Sequence, residues 1–264
     1  VSLTDIVSLP QIIAGARSEG GALIAAIPDA WLQGRTAYGG LTAALALEAA
    51  YRSADDLPPL RSAQISFIGP AAGEVSVSTA LLRRGRTAAF IEASVTSGEA
   101  LAMKALFVFQ ADPGSSLDHS DMPAPDAPAP QDAAIANHDP GFPFFTSNFE
   151  YRHAAPKSDV RRPDLRRWVR LKDREGLRPM VELMAIGDAL PPAAMALHDS
   201  FVPVSSLTWM INLLAAEPRT SDGWWLSRST AEQARSGSSS QSMGLWSTSG
   251  TPVAAGMQSV ALFG

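Results

Sequence analysis

The chain has no cysteine and only four histidines in 264 residues. The missing cysteines exclude disulfides, thiolate metal sites and cysteine nucleophiles together. They also suit a reducing compartment, and the cytoplasm is the expected location. The histidines, His119, His138, His153 and His198, fall at no metal-ligand spacing, so neither a metal nor another cofactor is expected. No apolar run reaches the ~18 residues that suggest a membrane span. The opening segment Val1–Ala14 carries Asp5 and no basic start, a poor fit to a signal peptide. Lys and Arg total 21 against 26 Asp and Glu, a net charge of -5 that argues against bulk nucleic-acid binding. Gly34–Gly40 lacks the GK[ST] ending of a phosphate-binding loop, and no GxSxG elbow occurs.

What the chain does have is apolar content, 46% hydrophobic residues, enough for two cores. It also has a repeated plan. Tyr38-Gly39-Gly40 opens a helical stretch, Leu41–Arg52, followed by strand-like runs at Arg61–Ile68, Glu74–Arg83, Thr87–Thr96 and Ala100–Phe109. Pro179 opens Met180–Leu190, followed by strand-like runs at Val204–Leu214, Trp224–Glu232, Gln241–Ser247 and Pro252–Phe263. Asn148–His153 and Trp168–Lys172 read as further strands of the second half. The repeat lies in the order of elements and not in residue identity.

The first helix is apolar on nearly every face, which predicts burial all round, inside a sheet. Val75, Val77 and Thr79 alternate with Ser76 and Ser78, the period of a strand with one packed face. Arg83–Arg86 and Ser97–Glu99 read as hairpin turns. A helix followed by an antiparallel meander, twice, predicts a long sheet curled around each helix. Residues 112–143 are rich in Pro, Asp, Ala and Ser; a segment with so little to bury is expected to be extended or mobile. It divides the chain into units 1–111 and 144–264.

These residues carry a resemblance. Tyr38-Gly39-Gly40, Phe67-Ile68-Gly69-Pro70, Leu82–Arg86 and Ala105–Gln110 in the first half resemble the double hot-dog acyl-CoA thioesterases of the thioesterase II type. So do Ile186–Pro192, Val204–Thr208 and Ser249-Gly250 with Val253–Gln258 in the second. The resemblance implies an α+β tandem hot-dog, each half an antiparallel sheet wrapped around a central helix. The two sheets are expected to join edge to edge, which protects edge strands. It also implies an acyl-CoA substrate and leaves a homo-oligomer open.

Three polar residues stand out. Asp188 ends an apolar helix, where partial desolvation and the negative end of the helix dipole both raise a carboxyl pKa toward general-base range. Its plainer reading is a surface turn before Pro191-Pro192. Gln258 lies among small and apolar strand residues, either as a buried amide that orients a water or as a solvent-facing residue. Ser206 and Thr208, two apart on one strand, should face the same side, and either could complete a triad. The resemblance favours Asp188, Ser206 and Gln258 around a hydrolytic water, with Asp188 as base or as a nucleophile forming an anhydride. Backbone N–H groups of Gly39 and Gly40 would stabilise the oxyanion; tight helix packing also explains both glycines.

Phe67, Trp209 and Trp246 are candidates to line an acyl tunnel, or plain core. Arg83, Arg84 and Arg86, or Arg161, Arg162, Arg166 and Arg167, are candidates for the CoA phosphates, or solvated faces. Hot-dog dehydratases use a histidine paired with a carboxylate, which neither helix start offers. The chain departs from the family pattern at Thr208 and Trp209, where an aspartate-histidine pair is expected. That departure leaves a second reading, an acyl-CoA binding or sensing module without turnover.

Overall fold

A helix with no polar face has to be enclosed, and two such helices organise this fold. The computed structural model describes residues 7–136, 144–155, 160–200, 202–220 and 222–263. Residues 1–6 of the opening segment, and residues 137–143 of the linker with His138, lie outside the described residues.

The first half runs α1 (Leu9–Gly15), β1 (Arg17–Glu19), β2 (Ala22–Ile27), β3 (Leu32–Gln33), β4 (Thr36–Ala37), α2 (Gly39–Ser53), β5 (Leu60–Phe67), β6 (Gly73–Arg84), β7 (Ala88–Ser97) and β8 (Ala100–Gln110). The second runs β9 (Phe149–His153), β10 (Asp164–Leu171), α3 (Pro179–Gly187), β11 (Val204–Leu213), β12 (Trp225–Arg235), β13 (Ser238–Trp246) and β14 (Pro252–Leu262). Twelve strands form one antiparallel sheet in the order β1-β2-β6-β7-β8-β5-β11-β14-β13-β12-β10-β9. The order reads the same from both ends by element type, so the tandem hot-dog has a pseudo-twofold axis between β5 and β11. The expected meander holds only for β6–β8 and β12–β14. The strand after each helix crosses over to pair beyond the last strand, β5 with β8 and β11 with β14. That crossover leaves β5 and β11 at the facing edges. They pair from Ser62↔Asn212 to Ser66↔Thr208, and neither edge is left open.

From Gly40 to Ala50, α2 is buried on every side, and it packs against β6, β7, β8 and α3. Leu41, Leu45 and Leu47 are fully buried, each contributing about 1.5–3 kcal/mol of transfer free energy. Buried Glu48 is tied to Arg52 of its own helix at 2.8 Å and to Arg178, the N-cap of α3, at 3.3 Å. α3 starts at Pro179, whose missing N–H costs nothing in the first turn, and stays buried to Gly187.

The linker does more than the sequence suggests. It is extended, but Met122, Ala124 and Ala127 pack on the outer face of the second half against Trp168, Trp224 and Trp246. Trp168 Nε1 donates to Pro128 O at 2.9 Å and Trp246 Nε1 to Met122 O at 3.0 Å. A proline-rich strand has unused carbonyls and small side chains, which is what a row of indoles can cover and bond.

Candidate active site

Asp188 sits where α3 stops. Its backbone leaves the helix (φ -100°, ψ 8°), and Pro191-Pro192 follow and cannot continue it. Its carboxylate turns to the start of α2, in the other half. The Gly40 amide donates to it. A Cβ on Gly39 would lie 2.6 Å from Asp188 Oδ2 and 2.9 Å from Phe67 Cε1, so only glycine allows this approach. Asp188 touches the cavity on one side and protein elsewhere. Burial pushes its carboxyl up to about 7, against the lowering effect of hydrogen bonds from Gln258 and Gly40. The sequence suggests desolvation together with the negative end of its own helix. Burial is the largest cause, and the helix end facing the carboxylate is the positive end of α2.

Gln258 of β14 is buried, and its amide joins the site together. Nε2 donates to Asp188 Oδ1 at 2.7 Å and to Ser206 Oγ at 3.0 Å. Both of its protons are therefore engaged, and Gln258 holds the two groups instead of facing the cavity with a free donor. Gln241, on the neighbouring strand β13 and fully buried, donates from Nε2 to Gln258 Oε1 at 2.7 Å. Gln241 Oε1 in turn accepts the Ala193 N–H at 2.9 Å. A backbone N–H can only donate, so this anchor fixes the sense of both amides. Gln241 was missed in the sequence. Its only signal is a long polar side chain in the inward phase of a serine-rich strand, and that phase depends on the register Gln241↔Gln258.

Thr208 does not share a side with Ser206. The pairing of β11 with β14 slips between them, from Ser206↔Val260 to Thr208↔Ser259, with Leu207 as the extra residue. Such a bulge reverses the alternation. Ser206 lines the cavity beside Gln258, and Thr208 is exposed on the other face. Trp209, in place of a polar pair, lies buried under α3. A Cβ on Gly187 would meet its Cζ2 at 2.7 Å. Support of Asp188 from below is thus packing against an indole.

The two glycines divide. Gly40 is buried and gives its amide to Asp188, while Gly39 lines the cavity, and its N–H has no acceptor among the described residues. Tyr38, the N-cap of α2, donates its hydroxyl to Ala185 O of α3 at 2.7 Å and stacks on Phe145 at 4.4 Å. Tyr151 OH donates to Ala189 O at 3.2 Å. Burial and the nearby Asp188 raise both phenols, so they stay protonated.

The cavity holds about 1290 Å³ and is walled by both halves. Phe67 lines it. Trp209 belongs to the main core and Trp246 to the linker-covered outer face, so neither does. Of the arginines considered, Arg83, Arg84 and Arg86 sit at the β6–β7 hairpin, away from the cavity. Arg161 pairs with Asp199, Arg166 with Asp164, and Arg162 is exposed outside the cavity. Arg167 does line it, and so does Arg35, at the β3–β4 hairpin, which sequence reasoning did not single out.

Solved structures share the whole architecture. A conserved hot-dog protein of unknown function from Alicyclobacillus acidocaldarius superposes with a TM-score of 0.86 at 19% identity, covering 98% of this chain and 99% of that one. A candidate thioesterase II from Thermobifida fusca gives 0.83 at 21% identity, covering 98% of each chain. An acyl-CoA thioesterase II from Mycobacterium marinum gives 0.77 at 18% identity, covering 96% of this chain and 97% of that one. A comparison with curated protein sequences finds no significant match. Residues 27–110 match the acyl-CoA thioesterase N-terminal domain, and residues 113–262 match the acyl-CoA thioesterase C-terminal domain. With both domains in order along most of its length, the chain belongs to the acyl-CoA thioesterase family.

Proposed function

We propose that this protein hydrolyses an acyl-CoA thioester to a carboxylic acid and free CoA, with Asp188 as general base. One observation carries the reading: a carboxyl raised to about 7, fixed by Gln258 and Gly40, borders a cavity of about 1290 Å³. That volume exceeds the ~300–1,000 Å³ of ordinary ligand pockets and suits a long ligand. A pKa near the working pH lets one group both take and return a proton.

In this mechanism Asp188 takes a proton from water as the oxygen adds to the thioester carbonyl carbon. Ser206, whose oxygen already accepts from Gln258, keeps its O–H to position that water or the carbonyl. The negative oxygen of the tetrahedral intermediate accepts the Gly39 N–H, at the positive end of α2. Collapse breaks the C–S bond, and the departing sulfur takes the proton back from Asp188. Asp188 as a nucleophile is the competing route. Its carboxylate is already held by Gln258 Nε2 and the Gly40 amide, which favours proton transfer over attack.

Thiol release from a panel of acyl-CoAs tests the reading, with wild type beside Asp188→Ala. The chain has no cysteine to add background. The expected loss is on the order of 10²–10⁴-fold in kcat, the range of a general base. Tight acyl-CoA binding without turnover in the wild type would favour the non-catalytic binding module.

A further inference from the structure

Among the described residues, two cations line the cavity, Arg35 and Arg167, and the hydrolytic site uses neither. Arg167 lies on the inner face of β10, between Leu165, which also lines the cavity, and the core residue Val169. Trp168 beside it points outward to the linker. Across β9, Arg167 pairs with His153 and Val169 with Tyr151, which makes Arg167 and Tyr151 diagonal neighbours roughly 7–8 Å apart on one face. Tyr151 OH reaches the carbonyl of Ala189, next to Asp188. One continuous wall thus leads from the base to this guanidinium.

Arg167 is also short of partners. Its Nη1 donates to Arg166 O at 2.8 Å, and among the described residues no carboxylate lies within ion-pair distance of it. Its neighbour Arg166 is bidentate to Asp164. Burial lowers the Arg167 pKa, as expected of an enclosed cation, yet an arginine stays charged. A half-buried cation with spare donors facing a cavity is costly unless something anionic meets it there.

Exposure says which part of the substrate that is. Arg35 stands exposed on the β3–β4 hairpin of the first half, Arg167 is half-buried in the second half, and both line the cavity. A thioester has two arms, CoA and the acyl group, and the two arginines differ in exposure. The exposed Arg35 suits the solvated phosphates of CoA, which leaves Arg167 to the acyl arm, in a cavity that Leu165, Leu190 and Met195 also line.

We infer that Arg167 receives a carboxylate at the far end of the acyl group, so that the preferred substrates are ω-carboxyacyl-CoAs. This rests on the thioesterase reading above. The apolar neighbours hold the methylene chain, and the planar fork of Arg167 binds the terminal carboxylate.

The test compares n-acyl-CoAs with ω-carboxyacyl-CoAs of matched length on wild type, Arg167→Leu, Arg167→Lys and Arg35→Leu, with free CoA as competing inhibitor. Wild type should prefer the carboxylated series. Arg167→Leu should lower kcat/KM for that series on the order of 10- to 100-fold, leave the neutral series within about twofold, and leave inhibition by CoA unchanged. Arg167→Lys should keep part of the preference. An equal loss for both series together with weaker CoA inhibition would place a phosphate at Arg167 and overturn the inference. No preference in wild type, or no change in Arg167→Leu, would overturn it as well. Turnover of the neutral series by wild type tests the thioesterase reading separately. If nothing is hydrolysed, calorimetric binding of the same matched pairs to wild type and Arg167→Leu gives the same comparison.

Discussion

Gln241 Nε2 donates to Gln258 Oε1 across 2.7 Å, one buried amide setting the sense of another. Because Gln241 is anchored on the Ala193 N–H, Gln258 has to turn its NH2 toward Asp188 and Ser206. Gln241→Glu replaces the donor by an acceptor. The Gln258 amide then flips, sets an oxygen against Asp188, and raises the Asp188 pKa further. The expected result is a kcat roughly 10- to 100-fold lower, a nearly unchanged KM, and an activity inflection moved to higher pH. A role in packing alone would leave the inflection where it is.

The pH dependence of the wild type follows from the same site. A general base must be ionised to act, and Asp188, the proposed base, is held up to about 7. The ratio kcat/KM should rise with pH through about 7 and level off above it. A flat profile from pH 5 to 8 would place the working group elsewhere.

Stability should run the opposite way. Asp188 is raised from an ordinary 3.8 to about 7, so the native state holds its proton more tightly than the unfolded chain. This contribution is fully present below pH ~4 and is lost as pH climbs to about 7, to an upper limit of roughly 4 kcal/mol. Asp188→Asn removes the ionisation. Its Tm relative to wild type should be higher at pH 8 than at pH 4, and equal differences at the two pH values would contradict the burial of an ionisable group there.

Gly39→Ala tests the oxyanion donor. Its Cβ would press on Asp188 Oδ2 and Phe67, so both move. Loss of the aligned N–H should cost about 10²–10³ in kcat, with a stability loss of about 1–3 kcal/mol from overpacking. Full activity in a folded variant would remove Gly39 from the site.

The linker gives a control far from the chemistry. Trp168→Ala deletes a buried indole and its bond to Pro128. Chemical denaturation should show a loss of about 3–5 kcal/mol, with kcat unchanged. A loss under ~0.5 kcal/mol would mean the linker is not packed there.

The strands, both central helices and the order of the halves are legible in the sequence because alternation and all-round apolarity report directly on a sheet that wraps a helix. Asp188, Gln258 and Ser206 could be named from residue type together with the family resemblance, and the fold brings them together. Thr208 misled because a bulge at Leu207 leaves no mark in a run of strand-forming residues. Gln241 was missed and Arg167 underweighted because their meaning depends on which face of a strand turns inward, and on what lies across it. The packed linker was missed because its partners, Trp168, Trp224 and Trp246, lie on three different strands or their flanks.

The central claim is that Asp188 activates water and does not itself attack. A single turnover of excess enzyme on acyl-CoA in ¹⁸O-labelled water tests it, with mass analysis of the product acid and of the peptide carrying Asp188. The account predicts one ¹⁸O in the released acid and none in Asp188. Label in the Asp188 carboxyl, or an Asp188 hydroxamate after trapping with hydroxylamine, would contradict it.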